Sequence, residues 1–566
     1  MRRQRSRKND VFPTKQTIAP LLAVLLMSCH ASEAPFAGEK PTSAQAERAR
    51  IESDVRFLAD DLLEGREAGT RGYDLAARFV AERYRSLGLE PGGDDASYFQ
   101  QVPLREVAFG SEFGGELTLE GDDRPDIFVA GEDYMVSPQP DAAQHSVEAP
   151  VVFVGYGLVA DSHDRDDYAG FDVDGKIVAY LYGAPKFLQS EERAYYRATL
   201  PQRASERGAV GTIFLETPEQ EAVFPFDAIV RNSSSGSQMY WLDERDQPFS
   251  LAPNIEATAY VSLAGAEKLF AKAPRQWASI IEAAEEEAGL VPGFEMDLKA
   301  RITYKARIRD LTSANVVGVL LGSDPVLRNE YVLLTAHLDG LGVHKTEDEG
   351  DDEIQNGAQD NAVGVATVLE VARLMARNPP KRSVLFVALT SEEKGMVGSG
   401  YFARNPTVPK RAIVANVNLD NPILVHDFTD VIAYGAERSD LFAIVRSAAE
   451  RAQVALSPDP EPEQGFFARS DHYSFVKQGV PAIQLTTGWA NGGKEAQSAF
   501  RKDHYHGPSD EADLVNFDVT ERFVQLNFEI ANGIANMGTR PLWKAGDFFG
   551  TTFDGPMQAQ TPIDNQ

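Results

Sequence analysis

A two-part α/β protein is predicted, its larger part built on a mixed, mostly parallel sheet with helices on both faces and its smaller part a β-rich insertion. Three observations on the 566-residue chain lead there. The length exceeds the roughly 250–300 residues at which a single core stops growing. From about residue 312, apolar runs such as "EYVLLTAHLDG", "RSVLFVALTSEE" and "VPAIQLTTG" alternate with helix-period segments such as "DNAVGVATVLEVARLMARN". Continuous apolar strands between amphipathic helices are the pattern of a parallel sheet covered on both faces. Between about 125 and 300 the texture changes to short strands, "APVVFVGYGL" and "GKIVAYLYG", broken by Gly, Pro and Asp clusters, the pattern of a separate β-rich unit.

In chain order, residues 1–28 open with the basic "MRRQRSRKND" and continue as "IAPLLAVLLMSC". That apolar run is shorter than the ~20 residues a membrane-spanning helix needs, so it reads as a secretory signal peptide. It ends in Leu26-Met27-Ser28-Cys29. A small residue before a Cys resembles the lipobox of bacterial lipoproteins, which implies lipidation at Cys29; an ordinary signal peptide cut a few residues later is the alternative. Either way export is expected, to the periplasm, to the outer membrane as a lipoprotein, or into the medium. Membrane contact would run only through that lipid anchor. Cys29 is the one cysteine of the chain, so no disulfide stabilises it.

Residues 45–124 read as the N-terminal part of the larger unit, with two amphipathic helices over 45–88 and Gly88 as a stop signal. Residues 125–300 form the insertion, 301–540 the main α/β domain, and 541–566 a polar, turn-rich tail held loosely. The formal net charge of −30 repels nucleic acid and anionic membrane and excludes nucleic-acid binding from the candidate functions.

The chemistry collects where the apolar runs stop: His337 and Asp339 in "TAHLDG", Asp360 in "GAQDNA", Glu392 and Glu393 in "TSEEKG", Asp420 in "VNLDNP", and further on His506 in "DHYHGPSDE". A lone Glu-Glu pair is more often a solvated helix start than a site. Three successive strands ending this way, at the edge where parallel sheets bind ligands, point instead to one crevice. Carboxylates gathered there could not all ionise without a cation between them. Two imidazoles and three carboxylates with no thiolate suit zinc, and would also hold cobalt or manganese. Two ions bridged by one carboxylate use such a set economically.

The set "AHLDG", "DNAVG", "SEEKG", "NLD" and "YHGPSDE", in that order, resembles the clan MH zinc aminopeptidase family, which also contains glutamate carboxypeptidases, glutaminyl cyclases and the inactive transferrin receptors. The resemblance covers about 312–540 and reaches back to "LADDLLEGREAGTRGYDLAARFVAERYRSLGLEP"; the middle of the chain resembles the protease-associated domain that many members carry. It implies the zinc exopeptidase fold and two zinc ions, with Asp360 as the bridging ligand. His337 and Asp420 would complete one metal and Glu393 and His506 the other, leaving Glu392 as general base. It also implies that the Asp339 carboxylate fixes the His337 tautomer and that the Asp360–Asn361 bond is cis. Phe467 stands where several relatives carry an oxyanion-binding Tyr, so Tyr505, beside His506, is the candidate oxyanion donor. Ser470, ahead of Asp471 and His472, reads as a helix cap rather than a nucleophile. His344, His426 and His504 read as solvated loop histidines, and the acidic loop at 347–353 as a solvated insertion.

The function expected is an exported metallo-exopeptidase that removes N-terminal residues from peptides. A carboxypeptidase or dipeptidase, with Arg469 as a clamp for the terminal carboxylate, is one alternative; a non-catalytic binding protein is the other.

Overall fold

The computed structural model describes residues 43–108, 115–120, 128–344 and 350–559. Cys29, the signal segment and residues 347–349 of the acidic loop lie outside the described residues.

A ten-stranded sheet runs 237–241, 99–108, 307–320, 383–389, 331–337, 413–418, 482–487, 430–434 and 455–456, with 90–91 added along 307–320. Its centre, Ser383–Leu389, Tyr331–His337, Ile413–Asn418 and Ala482–Thr487, is parallel. The flanks are largely antiparallel: 307–320 pairs antiparallel with both 383–389 and 99–108, and 430–434 with 482–487. The sheet is therefore mixed, with four parallel strands at its centre and one further parallel pair, 430–434 with 455–456, at its edge. "ANVVGVLLG" reads like the others because a strand buried on both faces looks the same in either direction.

Helices cover both faces. Ser43–Leu58, Arg71–Ser86, Val363–Ala376, Leu441–Arg451 and Phe517–Ala535 pack on one side, and Val397–Arg404 with His472–Val476 bury Phe402 and Phe475 on the other. Val363–Ala376 is apolar nearly all round and almost wholly buried, as such a helix must be. Arg71–Ser86 begins at Thr70, whose hydroxyl accepts the Tyr73 amide, and stops at Gly88, whose φ of +76° supplies the left-handed residue that ends helices.

The second sheet has seven strands, ordered 115–120, 294–305, 144–153, 177–181, 211–215, 257–261 and 134–137. Its strands begin at Gly115 and end at Lys305, just outside the sequence boundaries of 125 and 300. Strand Ser237–Trp241, inside that span, returns to the large sheet beside 99–108. The insertion is also less purely β than its texture suggests. Its four strands 144–153, 177–181, 211–215 and 257–261 run parallel, and helices Ser190–Glu206, Leu263–Phe270 and Trp277–Glu285 accompany them. The first of these carries Pro201 in its interior, a residue that reads as a breaker in the sequence.

The C-terminal stretch is not loose up to residue 559. Trp543 and Phe549 are completely buried, the Trp543 indole donates to the Gly479 carbonyl at 2.8 Å, and Asp547 pairs with Arg438 at 3.0 Å. A polar texture hid two large anchors.

Candidate metal centre

Three of the four parallel strands deliver their polar ends to one rim. His337 closes its strand, Asp420 follows Ile413–Asn418 by two residues, and Glu392 and Glu393 follow Ser383–Leu389. Asp360 arrives from the turn before helix Val363–Ala376, across a cis bond to Asn361. His506 comes from the loop after Gly493–Asp503 with φ +56°.

The donor atoms form two groups that share Asp360: His337, Asp360 and Asp420, and Asp360, Glu393 and His506, the atoms of each lying within 4.8 Å of one another. His337 Nε2 is 3.1 Å from Oδ1 of both Asp360 and Asp420. His506 Nε2 is 3.3 Å from Asp360 Oδ2 and 3.4 Å from Glu393 Oε2. Glu392 joins neither group. The five residues expected from the sequence thus meet, in the partition that the resemblance implies.

The electrostatics say what this cluster lacks. Burial alone pushes an imidazole down, yet the Asp420 and Asp360 carboxylates hold His337 well above the usual histidine range. Burial likewise opposes protonation of His506, but Asp360 and Glu393 raise it to about 9. Glu393 is pushed up to about 8 by burial and then by Asp360. Burial, followed by Asp420 and Asp471 acting against the pull of His337, pushes Glu392 well above the carboxylate range. Asp360 alone moves down, because both imidazoles donate to it despite its burial. Without cations the cluster therefore gathers protons, and divalent ions set among these atoms would supply the same positive charge. The residues fit a nitrogen-and-oxygen metal centre.

What holds the ligands in place departs from expectation in two ways. His337 Nδ1 meets the backbone carbonyl of Asp339 at 3.1 Å, not its carboxylate. The buried Asp339 carboxylate instead accepts the backbone N–H groups of Glu392 at 3.1 Å and Glu393 at 3.3 Å, fixing the turn that carries both glutamates. That turn sets the directions of the pair, for the strand ends at Leu389 and Ser391 adopts φ +55°. Ser470 caps nothing; its hydroxyl donates to Asp420 Oδ2 at 2.5 Å and accepts from Asn418 Nδ2 at 2.7 Å.

Two further residues were missed in the sequence. Arg66 is 1% exposed, and its guanidinium donates to the carbonyls of Leu338 at 3.0 Å, Asn356 at 2.6 Å and Gly357 at 3.0 Å, and to that of Leu58. It ties the N-terminal segment to the chain beside His337 and Asp360. Burial lowers it to about 10, so it stays charged. Asp510 accepts the backbone N–H groups of Gln359 at 2.9 Å and Asp360 at 3.0 Å, while Asn361 Nδ2 donates to Leu419 O at 2.9 Å and joins the Asp360 turn to the Asp420 loop. The signals were present as "LEGREAG" and "HGPSDE", but neither string names its partners.

Tyr505 stacks on His506 with ring centroids 3.8 Å apart and stays 37% exposed. Crowding around its hydroxyl, then the Asp360 and Glu393 carboxylates, raises its ionisation well above the usual phenol value, so it is a neutral donor. His344 hydrogen-bonds Leu341 O at 3.1 Å and His504 meets Ser509 Oγ at 2.9 Å. His426 is half-buried rather than solvated, and burial lowers it. A cavity of about 400 Å³ opens onto the cluster, with Glu393, Lys394 and His506 on one side and Met135, Ser137 and Gln238 on the other.

Residues 315–531 match the model of Peptidase family M28. This chain is 33% identical over 155 residues to a "Probable zinc metalloprotease" of Pyrenophora teres f. teres, covering 26% of this chain and 31% of that protein. It is 26% identical over 196 residues to "Probable leucine aminopeptidase 2" of Aspergillus fumigatus, covering 33% of this chain and 36% of the relative. The chain thus spans about a third of the length of these two relatives. Among solved structures it is similar to an aminopeptidase from Aneurinibacillus sp. strain AM-1, with a TM-score of 0.49, 19% identity, and coverage of 86% of this chain and 93% of that one.

Proposed function

We propose that this chain, which carries a Peptidase family M28 domain over residues 315–531, is an exported di-zinc metallo-aminopeptidase. One observation carries the reading: two donor groups share the Asp360 carboxylate while a further, half-buried carboxylate, Glu392, stands free of both. His337 and Asp420 would hold one ion, Glu393 and His506 the other, and Asp360 both.

Bound zinc would acidify a water molecule and polarise the scissile carbonyl. Glu392 accepts the proton of the attacking water and returns it to the leaving amine, the work of a carboxylate whose ordinary pKa has been moved by its surroundings. The Tyr505 hydroxyl, kept neutral, donates to the oxygen on which charge develops. Asp339 and Asp510 move no proton; they hold the backbone on which Glu392, Glu393 and Asp360 sit. The insertion, read as a protease-associated domain, supplies the opposite wall of the cleft and restricts entry to peptide ends.

The signal-like residues 1–28 support export, and Cys29 supports a lipid anchor. Peptides are the proposed substrates. The test measures zinc by plasma emission and hydrolysis of aminoacyl p-nitroanilides against amino-blocked peptides. The expected result is two zinc per chain, cleavage only of free amino ends, and loss of metal from both halves in Asp360→Ala. Cleavage of amino-blocked peptides, or one zinc per chain, would overturn it.

A further inference from the structure

The cavity that opens onto Glu393 and His506 shares Met135, Ser137 and Gln238 with a second cavity of about 330 Å³. Two guanidinium groups face this second chamber, Arg197 from helix Ser190–Glu206 of the insertion and Arg469 from the main unit. Arg197 donates to the Gln220 amide oxygen at 2.9 Å and Arg469 to that of Gln464 at 3.3 Å. Each also lies over an aromatic ring, Arg197 over Tyr182 and Arg469 over Phe466. Among the described residues neither is in an ion pair with a carboxylate. Glu216, which feels Arg197, is pushed up to about 8 by burial and then by Glu221.

Two unpaired guanidiniums facing one cavity, in a chain of net charge −30, select an anion, and their planar fork suits a carboxylate. The chamber is also tied to the reacting end of the cleft. Ser470 directly follows Arg469, and its hydroxyl is the one that reaches Asp420. A peptide whose amino end sits at the metal centre would extend past Met135 and Gln238 toward the two arginines.

We propose that Arg197 and Arg469 form a carboxylate-binding subsite for the portion of the peptide that leaves, and so select short free-acid peptides or peptides with an acidic side chain near the cleaved end. The link to turnover rests on the peptidase reading, whereas binding does not. The test is calorimetric titration of zinc-loaded Glu392→Gln protein with peptides from dipeptide to pentapeptide, as free acids, as C-terminal amides, and as amides carrying an internal Asp. The free acid of the length that reaches the chamber should bind about tenfold tighter than its amide, the size of one charge-assisted hydrogen-bonded contact. Recovery of that affinity by the internal Asp assigns the subsite to side chains; failure to recover assigns it to the α-carboxylate. Arg197→Gln and Arg469→Gln should abolish the difference, and Arg469→Lys should keep part of it. On the wild-type background, the two Gln variants should raise KM for free-acid peptides at constant kcat and leave aminoacyl p-nitroanilides, too short to reach the chamber, unchanged. Equal binding of acids and amides, or a difference that survives the double Gln variant with an unaltered circular dichroism spectrum, would overturn the proposal. Hydrolysis of the nitroanilide by the wild-type protein decides the peptidase reading separately.

Discussion

The two sheets of this molecule each place four parallel strands at their centre, yet among the described residues only one carries a reactive rim. In the large sheet the parallel strands run out into His337, Asp420 and the Glu392-Glu393 turn. In the insertion they run out into Val154, Tyr182, Glu216 and Ser262. Glu216 is the instructive case. Like Glu392 and Glu393 it follows a buried strand and is raised by burial, but among the described residues no imidazole converges on it. A strand end becomes a site when several of them aim donors at one point; a buried carboxylate at one end does not suffice.

The sharpest way to break that contrast is to remove one carboxylate from each rim. Glu392→Gln should lower hydrolysis by about 10²–10⁴-fold, the usual contribution of a general base, with zinc content unchanged by emission spectroscopy. Glu216→Gln should leave nitroanilide hydrolysis at the wild-type rate. Equal losses in the two variants would erase the distinction between the rims.

The scaffold beneath the reactive rim is tested next. Arg66→Met strands the carbonyls of Leu338, Asn356 and Gly357 in a buried position and should cost about 3–5 kcal/mol in chemical unfolding, with metal affinity falling alongside. Retention of full stability would mean that those loops stand without it.

A smaller effect is expected from Tyr505→Phe, about 10²-fold in kcat with KM little changed, if its hydroxyl meets the developing oxyanion. Unchanged kcat would remove Tyr505 from the chemistry.

The gentlest probe is pH on the chelated protein. Glu393 and Asp510 are held up to about 8 and about 7 in the fold, chiefly by burial, so the folded state keeps protons that the unfolded chain has released. His506, raised to about 9 from 6.5 against the effect of burial by Asp360 and Glu393, contributes stability that is full below about 6.5 and lost by about 9. All three act in the same direction. The Tm of the chelated protein should fall from about pH 5 to about pH 9, and zinc should flatten the profile. A Tm that rises over that range without metal would contradict the protonation pattern of the cluster.

Much of the site was legible because metal ligands sit beside recognisable punctuation. A buried strand that ends in His or in paired carboxylates breaks the rule that apolar runs end in turns, and three such breaks, joined in order by the motifs of Asp360 and His506, stand out. The insertion was less legible. Helix Ser190–Glu206 carries an interior Pro and little apolar periodicity, and strand Ser237–Trp241 leaves its neighbours for the other sheet. The packed C-terminal stretch was misread because two buried aromatics count for more than many polar neighbours.

The order of strands and helices in the larger unit, the acidic surface and the identity of the metal-side donors were determined by the sequence itself, since each is written in local composition and spacing. Which partner each supporting side chain takes was decided only by the tertiary structure. The Asp339 carboxylate chose two amides 53 and 54 residues away over its neighbour's imidazole, Ser470 chose Asp420 over a helix end, and Arg66 reached carbonyls up to 291 residues distant. Hydrogen-bonding groups buried away from water must be satisfied by whatever the fold brings within reach, and that reach is a property of packing that no local stretch of chain contains.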